Sequence, residues 1–156
     1  AVDNPIKLTG DLMAVIALAL TAMAFCGGWL GDQFGHRRIQ LIASLISGFG
    51  CLLMIIARTP PTVLIFGTFL GMGIGLFLTS NWALANRLVP ADKAGKFMGL
   101  TNIATAGAGA AARLGGPLVD FINNAKPGAF WGYSALFLIG AVLIFISIVF
   151  LMKVTN

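Results

Sequence analysis

Long apolar stretches separated by short polar loops make up most of the chain. Five stretches approach or exceed the length of about 20 residues that a helix needs to cross the hydrocarbon core of a bilayer. They lie at about residues 9–30, 38–57, 62–86, 99–121 and 130–152. None of them alternates apolar and polar positions with a period of two, so strands of a membrane barrel are not indicated. The pattern predicts an all-α polytopic membrane protein, in which residues 1–156 form one bundle of five transmembrane helices.

The composition favours membrane lipid as the surroundings of this chain. Hydrophobic residues make up 58% of it and charged residues only 10%, with a mean hydropathy of +0.95. Soluble domains carry about 25% charged residues, so this chain has too little polar surface to cover a globule in water. The net charge of +5 does not indicate nucleic acid, because the basic residues are scattered over the loops without interleaved aromatic residues.

The distribution of basic residues predicts an orientation in the membrane. Loops on the cytoplasmic side carry an excess of Lys and Arg. Six basic residues fall on one side of the predicted bundle and three on the other, which places the N-terminus outside and the C-terminus in the cytoplasm. The cytoplasmic group is Arg37, Arg38, Arg87, Lys93, Lys96 and Lys153, and the outer group is Lys7, Arg58 and Lys126.

The loop between the first two stretches reads Gly-Trp-Leu-Gly-Asp-Gln-Phe-Gly-His-Arg-Arg and is the most informative segment. Gly28 and Gly35 allow a tight turn and close packing. Asp32 is an acceptor at the membrane boundary that can pair with a cation or cap a helix. Arg37 and Arg38 suit lipid phosphates and help to set the topology. A plain boundary loop with a turn and a topology signal is the alternative interpretation.

This loop resembles the cytoplasmic loop signature of the major facilitator superfamily, a large class of secondary transporters. The residues that match the signature are Gly28, Leu30, Asp32, Gly35 and Arg37. The loop departs from the family pattern at Gln33, His36 and Gln40. The resemblance implies half of a twelve-helix fold. A signature after the first of five spans matches helices eight to twelve of the C-terminal half, closest in look to bacterial sugar-type members. Helices two to six, which have the same orientation, are the alternative register, and we favour the first because no long central linker follows the last span. The N-terminal half of a transporter, or another membrane subunit, is then the expected partner.

By resemblance, Gly28, Asp32, Gly35, Arg37 and Arg38 form a gating loop in which the acid latches one access state. The chain would be part of a secondary active transporter that moves a small solute by alternating access. Symport with a proton or cation, in the plasma (inner) membrane of a bacterium, is the expected setting. The alternative is a non-transporting structural or accessory subunit of a larger membrane complex, derived from a half-transporter.

Polar residues on the fourth stretch are the second candidate site. Together with two glycines, they recur every three or four residues and fall within an arc of about 80° on one helix. The set is Asn102, Thr105, Gly109, Arg113, Gly116 and Asp120. An ionisable residue at membrane depth is a functional-site candidate by default. Arg113 suits an anionic or hydroxylated solute, an ion pair with Asp11 or Asp120, or a static, outward-reaching role. Asn102, Thr105 and Asn81 are predicted either to line the same cavity or to form interhelical hydrogen bonds.

Glycines at helical spacing predict sites of close helix packing. Small residues every four positions let neighbouring backbones approach, although a sliding, gating helix is an alternative interpretation. The predicted packing positions are Gly67, Gly71, Gly75, Gly109 and Gly116. The run Gly115-Gly116-Pro117 predicts a kink near the outer end of the fourth stretch.

An enzymatic function has no residues to support it. The chain lacks a phosphate-binding Gly-x-x-x-x-Gly-Lys-Ser/Thr loop. Its one His lies in a basic loop, so neither a Ser-His-Asp set nor metal-ligand spacing can be assembled. We therefore predict no enzyme activity, no cofactor and no metal site.

Overall fold

The structure is a computed structural model that describes residues 4–125 and 127–153, so Lys126 of the predicted outer basic group lies outside it. The described residues are helical almost throughout and contain no strand, which confirms the all-α prediction. A 3₁₀ turn, Ala91–Lys93, precedes α4. The helices are α1 Pro5–Phe34, α2 His36–Ile56, α3 Pro60–Leu88, α4 Ala94–Arg113, α5 Gly115–Ala125 and α6 Trp131–Lys153.

Four of these helices, α1, α2, α3 and α6, are long and apolar enough to cross a membrane. They correspond to the first, second, third and fifth predicted spans. Many large apolar side chains on them are exposed, including Phe25 at 82% and Phe150 at 65%. Such exposure fits lipid surroundings, because a large apolar surface is unfavourable in water.

The predicted fourth span, 99–121, is not one continuous helix. It is divided between α4 and α5, which meet at Leu114. Pro117 has no N–H to bond the carbonyl of Arg113, four residues earlier. The Leu114 amide instead bonds the Ala111 carbonyl at 3.0 Å, which tightens the end of α4. The kink predicted at residues 115–117 thus becomes a helix break one residue earlier.

The described residues divide into two compact units. The first contains α1, α2, α3 as far as Leu84, and α6 from Phe137. Its core is the buried cluster of Ile39, Ala43 and Leu76, with Met23, Leu30, Ile46 and Phe77 packed against it. The second unit runs from Ala85 to Leu136.

A row of glycines brings α3 against α1 in the first unit. Paired positions advance by four residues in the same direction on both helices, so α1 and α3 run parallel. The pairs are Gly67 with Leu12, Gly71 with Ile16 and Gly75 with Leu20. At these three predicted packing positions, α3 therefore lies close against α1.

The packing predicted at Gly109 and Gly116 is not seen. A Cβ added at either glycine would meet nothing within 4 Å among the described residues. The reason is local: none of the α4 residues is buried, and Gly116 lies beyond the break, on α5. Close packing in the second unit lies instead at Gly132 of α6, whose amide donates to Asn123 Oδ1 at 2.8 Å.

Candidate functional site

The junction between α1 and α2 consists of one residue, Gly35. Its φ of 90° lies in the left-handed region that side chains rarely adopt. The Gly35 amide donates to the Gly31 carbonyl at 2.9 Å, and its own carbonyl accepts from Ile39 at 3.2 Å. One glycine thus ends α1 and begins α2. Gly28, by contrast, lies inside α1 near Thr79 of α3, so of the two glycines predicted to turn the chain only Gly35 does.

Asp32 and His36 lie on either side of this turn and contact each other. His36 Nε2 is 3.2 Å from Asp32 Oδ1, so the imidazole N–H donates to the carboxylate. The Asp32 side chain is 70% exposed, whereas that of His36 is 5% exposed. The imidazole ring occupies the space beside Gly31 that a Cβ there would need. His36, a departure from the family pattern, therefore holds the acid from the buried side.

Arg37 connects the start of α2 to the end of α6. Its Nε donates to the Leu151 carbonyl at 3.3 Å, and its terminal nitrogen donates to the Met152 carbonyl at 2.7 Å. The last carbonyls of a helix lack intrahelical partners and carry the negative end of the helix dipole, so a guanidinium is a favourable cap. Arg38 is exposed. The lipid-phosphate role predicted for both arginines thus fits Arg38 better than Arg37.

Asn81 forms one of the interhelical hydrogen bonds that the sequence left open. Its Oδ1 accepts from Gln40 Nε2 of α2 at 3.0 Å. Gln40, another departure from the family loop, is buried at 7% exposure. The bond joins α2 to α3 one helical turn beyond the Gly35 junction. Asn81 is half-buried, so this contact leaves part of its side chain accessible.

The polar face predicted for the fourth stretch is present on α4 but does not continue onto α5. Asn102, Thr105 and Arg113 are exposed on α4, and Thr105 Oγ1 donates to the Thr101 carbonyl at 2.9 Å. Asp120 is separated from them by the helix break. Within the described residues Arg113 has no hydrogen-bond or ion-pair partner, Asp120 included. Asn81 belongs to the first unit and α4 to the second, so a cavity that they share stays a prediction.

A buried polar row on α2 was missed at the sequence level. His36, Gln40, Ser44 and Ser47 are all buried. Their spacing of four, four and three residues within an apolar stretch was the signal that could have identified it. Across the described residues, no group of three His, Cys, Asp or Glu side chains is arranged to hold a metal ion.

Similarity to known proteins was found at the level of a family and of several named transporters. A probable inositol transporter 3 of Arabidopsis thaliana is 29% identical over 90 residues, which are 58% of this chain and 16% of that protein. The minor myo-inositol transporter IolF of Bacillus subtilis is 27% identical over 104 residues, 67% of this chain and 24% of the relative. The probable sulfoacetate transporter SauU of Cupriavidus necator is 26% identical over 133 residues, 85% and 29% respectively.

These matches cover only a part of each relative. The matched segments make up 13% to 29% of the length of the inositol and sulfoacetate transporters. No solved structure matches the chain significantly. The family model of the Major Facilitator Superfamily, in contrast, matches residues 5–156. Because that match covers almost the whole chain and agrees with its apolar helices and its loop signature, this chain is an integral membrane protein that belongs to the Major Facilitator Superfamily.

Proposed function

We propose that this chain is part of a secondary active transporter that moves a small solute by alternating access. The family match over residues 5–156 is the observation that carries the proposal. Transporters of this kind move their two halves around a binding site near the bilayer midplane. The absence of a nucleotide-binding loop from the sequence fits a carrier driven by a proton or cation gradient rather than by ATP. Family membership likewise favours a transporter over an enzyme.

The chain is proposed to supply helices eight to twelve, in the C-terminal half of such a carrier. The junction signature follows the first apolar helix, and four further predicted spans follow it. The parallel course of α1 and α3 supports regular up-and-down crossing. The excess of basic residues on the α1–α2 junction side supports an outer N-terminus and a cytoplasmic C-terminus. The bacterial inner membrane is the proposed setting.

The α1–α2 junction is proposed to act as the gate. Asp32 is exposed and oriented by His36, so its carboxylate remains accessible to a partner while its rotamer is restrained. Arg37, two residues after the turn, binds the end of α6, and in this proposal the contact couples α6 to the junction. In this proposal the N-terminal half of the transporter provides the group that Asp32 latches.

The α4 face is proposed to contact the solute, with Arg113 as its main donor. An Arg presents five N–H donors in a fixed fork and binds hydroxyl and anionic oxygens alike. Two of the relatives described above are named as inositol transporters, and one as a sulfoacetate transporter. We favour a small hydroxylated solute, in line with the resemblance of the sequence to bacterial sugar-type members of the superfamily. An anionic solute is the competing outcome.

Uptake into proteoliposomes of the full-length protein tests this function. Labelled myo-inositol and sulfoacetate would be offered with an inward proton or sodium gradient to wild type, Arg113→Ala and Arg113→Lys. We expect uptake to fall at least about tenfold in Arg113→Ala, equivalent to about 1.4 kcal/mol of lost binding, with partial retention in Arg113→Lys. Arg58→Ala, an exposed arginine between α2 and α3, is the matched control and should leave uptake unchanged.

Each result separates two interpretations. Normal uptake in Arg113→Ala would remove Arg113 from the solute site but leave the transporter in place. A wild-type protein that moves neither probe under either gradient would count against transport and in favour of the accessory-subunit alternative. Preference for sulfoacetate over myo-inositol would replace the hydroxylated solute by an anionic one.

A further inference from the structure

The face of α2 that is turned into the first unit carries a row of polar side chains whose hydrogen-bonding capacity is largely unused. His36, Gln40, Ser44 and Ser47 fall within an arc of about 80° at 100° per residue. Their exposed fractions are 5%, 7%, 1% and 5%. Four of their polar atoms have no hydrogen-bond partner among the described residues: His36 Nδ1, Gln40 Oε1, Ser44 Oγ and Ser47 Oγ.

The facing helix adds to this row. Ser80 of α3 is fully buried, and its hydroxyl also has no partner within the described part of the chain. Its neighbour Asn81 accepts from Gln40 Nε2, which shows that the polar side chains of the two helices meet at this level. Buried polar groups in proteins nearly always find a partner, either protein or ordered water.

A cavity of about 300 Å³ lies at the Ser44–Ser47 end of the row, between α2, α3 and α6. Ser44, Ser47 and Ser147 contribute its hydroxyl groups, and Ile74, Phe77 and Leu143 are among its apolar lining residues. A water molecule needs only about 10–15 Å³ of such space, together with two to four polar partners. Ser147 Oγ already donates to the Ile144 carbonyl, so the free hydroxyls are those of α2.

The opposite end of the row reaches the membrane boundary. His36 contacts the carboxylate of Asp32, whose side chain is largely exposed. Ser47 lies eleven residues further along α2, about 16 Å deeper at 1.5 Å per residue. That depth is roughly half of the hydrocarbon core. Successive polar side chains along the row are about 4–6 Å apart along the axis, a gap that one bridging water can close.

We propose that this polar row binds a connected file of water molecules that runs from the Asp32–His36 junction to the cavity at Ser44 and Ser47. The free atoms on α2 and Ser80 supply the donors and acceptors that each water needs. Apolar residues of α3 and α6 line the rest of the cavity. The file gives solvent access to the middle of the membrane, and it uses none of the α4 residues of the proposed solute site.

Cysteine accessibility tests the proposal in the full-length protein in inverted membrane vesicles, where the Asp32–His36 end of the row faces the added reagent. In a Cys26→Ser, Cys51→Ser background, Ser44→Cys and Ser47→Cys would be treated with a cationic, membrane-impermeant methanethiosulfonate. Only a thiolate reacts, and a thiolate forms readily only where water solvates it. Leu45→Cys is the matched control. Leu45 follows Ser44 at nearly the same depth, but it is 42% exposed and lies outside the buried face of the helix.

We expect Ser44→Cys and Ser47→Cys to react at least about tenfold faster than Leu45→Cys. Equal rates for the three variants, or no reaction at either serine position, would overturn the proposal. The native thiol of Cys51, four residues beyond Ser47 and buried on the same face, gives a second readout with intact chemistry. Its labelling in the Cys26→Ser protein should slow when Ser44 and Ser47 are both changed to Ala, and an unchanged rate would contradict a file held by these hydroxyls.

Discussion

At the scale of single residues, Gly35 carries the turn between α1 and α2 alone. Its φ of 90° is open to glycine but strained for any L side chain. Nothing lies within 4 Å of the position that a Cβ would occupy, so the effect of a substitution is one of backbone strain only. We therefore expect Gly35→Ala to lower the free energy of unfolding by about 1–2 kcal/mol. Denaturant unfolding in detergent, followed by circular dichroism, measures it.

Gly10→Ala is the matched control for this substitution. Gly10 also has open space around its missing Cβ, but it lies inside α1 with ordinary helical backbone angles. Alanine is the better helix former there by up to about 1 kcal/mol, so this variant should be as stable as wild type or more stable. Equal stability of the two variants would show that the junction accepts a side chain by shifting its backbone.

The residues of the junction could be chosen from the sequence, but most of their partners could not. The spacing of glycine, acid and arginine identified Asp32, Gly35 and Arg37 because turn, acceptor and donor chemistry follow from residue type. The contact of Arg37 with α6 spans 114 residues along the chain. A local pattern does not encode which helix ends meet. The sequence places His36 in a basic loop, and its burial follows from the space beside Gly31.

At the scale of elements, the α1–α3 contact depends on the missing side chains of a glycine row. A Cβ at Gly71 would lie 2.8 Å from the carbonyl oxygen of Ile16, a backbone atom that cannot rotate away. We expect Gly71→Ala to separate the two helices and to destabilise the protein by about 1–3 kcal/mol through overpacking. Denaturant unfolding in detergent measures the change in stability. The efficiency of crosslinking between cysteines introduced on α1 and α3 reports the distance between the two helices.

Gly109→Ala on α4 provides the comparison. Its Cβ would meet open space, so the substitution should be neutral or slightly stabilising in the isolated protein. A loss of stability at position 109 equal to that at 71 would mean that α4 packs through Gly109 after all. A harmless Gly71→Ala would mean that α1 and α3 are less closely held than their backbone approach indicates.

The spacing of small residues alone could not separate these two cases. Gly67, Gly71 and Gly75 share a helix with large apolar residues that fill the remaining surface, and their common face meets another helix. On α4 most residues are small, so a spacing of four carries little information about which face packs. The same limit applies to the fourth span: Pro117 indicated a kink, but whether one helix bends or two helices form depends on hydrogen bonds at Leu114.

At the scale of the whole molecule, the number of membrane crossings depends on α4 and α5. The other long helices, α1, α2, α3 and α6, qualify as spans by length and hydropathy. At about 1.5 Å per residue, the 20 residues of α4 and the 11 of α5 have ample length for a core of roughly 30 Å. Their small and polar residues suit a crossing that is covered by protein instead of lipid. In the proposed placement as helices eight to twelve, the pair crosses as one.

The positions of the two chain ends decide this question, because five crossings place them on opposite sides of the membrane and four place them on the same side. We expect Lys7→Cys to be labelled only from outside intact cells, and Lys153→Cys only in inverted vesicles, in a Cys26→Ser, Cys51→Ser background with an impermeant maleimide. Both substitutions replace an exposed lysine, so reactivity differs by location alone. Labelling of both from one side would mean that α4 and α5 do not cross. Labelling of both in the opposite sense would leave five crossings but reverse the orientation, and the excess of basic residues near the α1–α2 junction makes that reversal unfavourable.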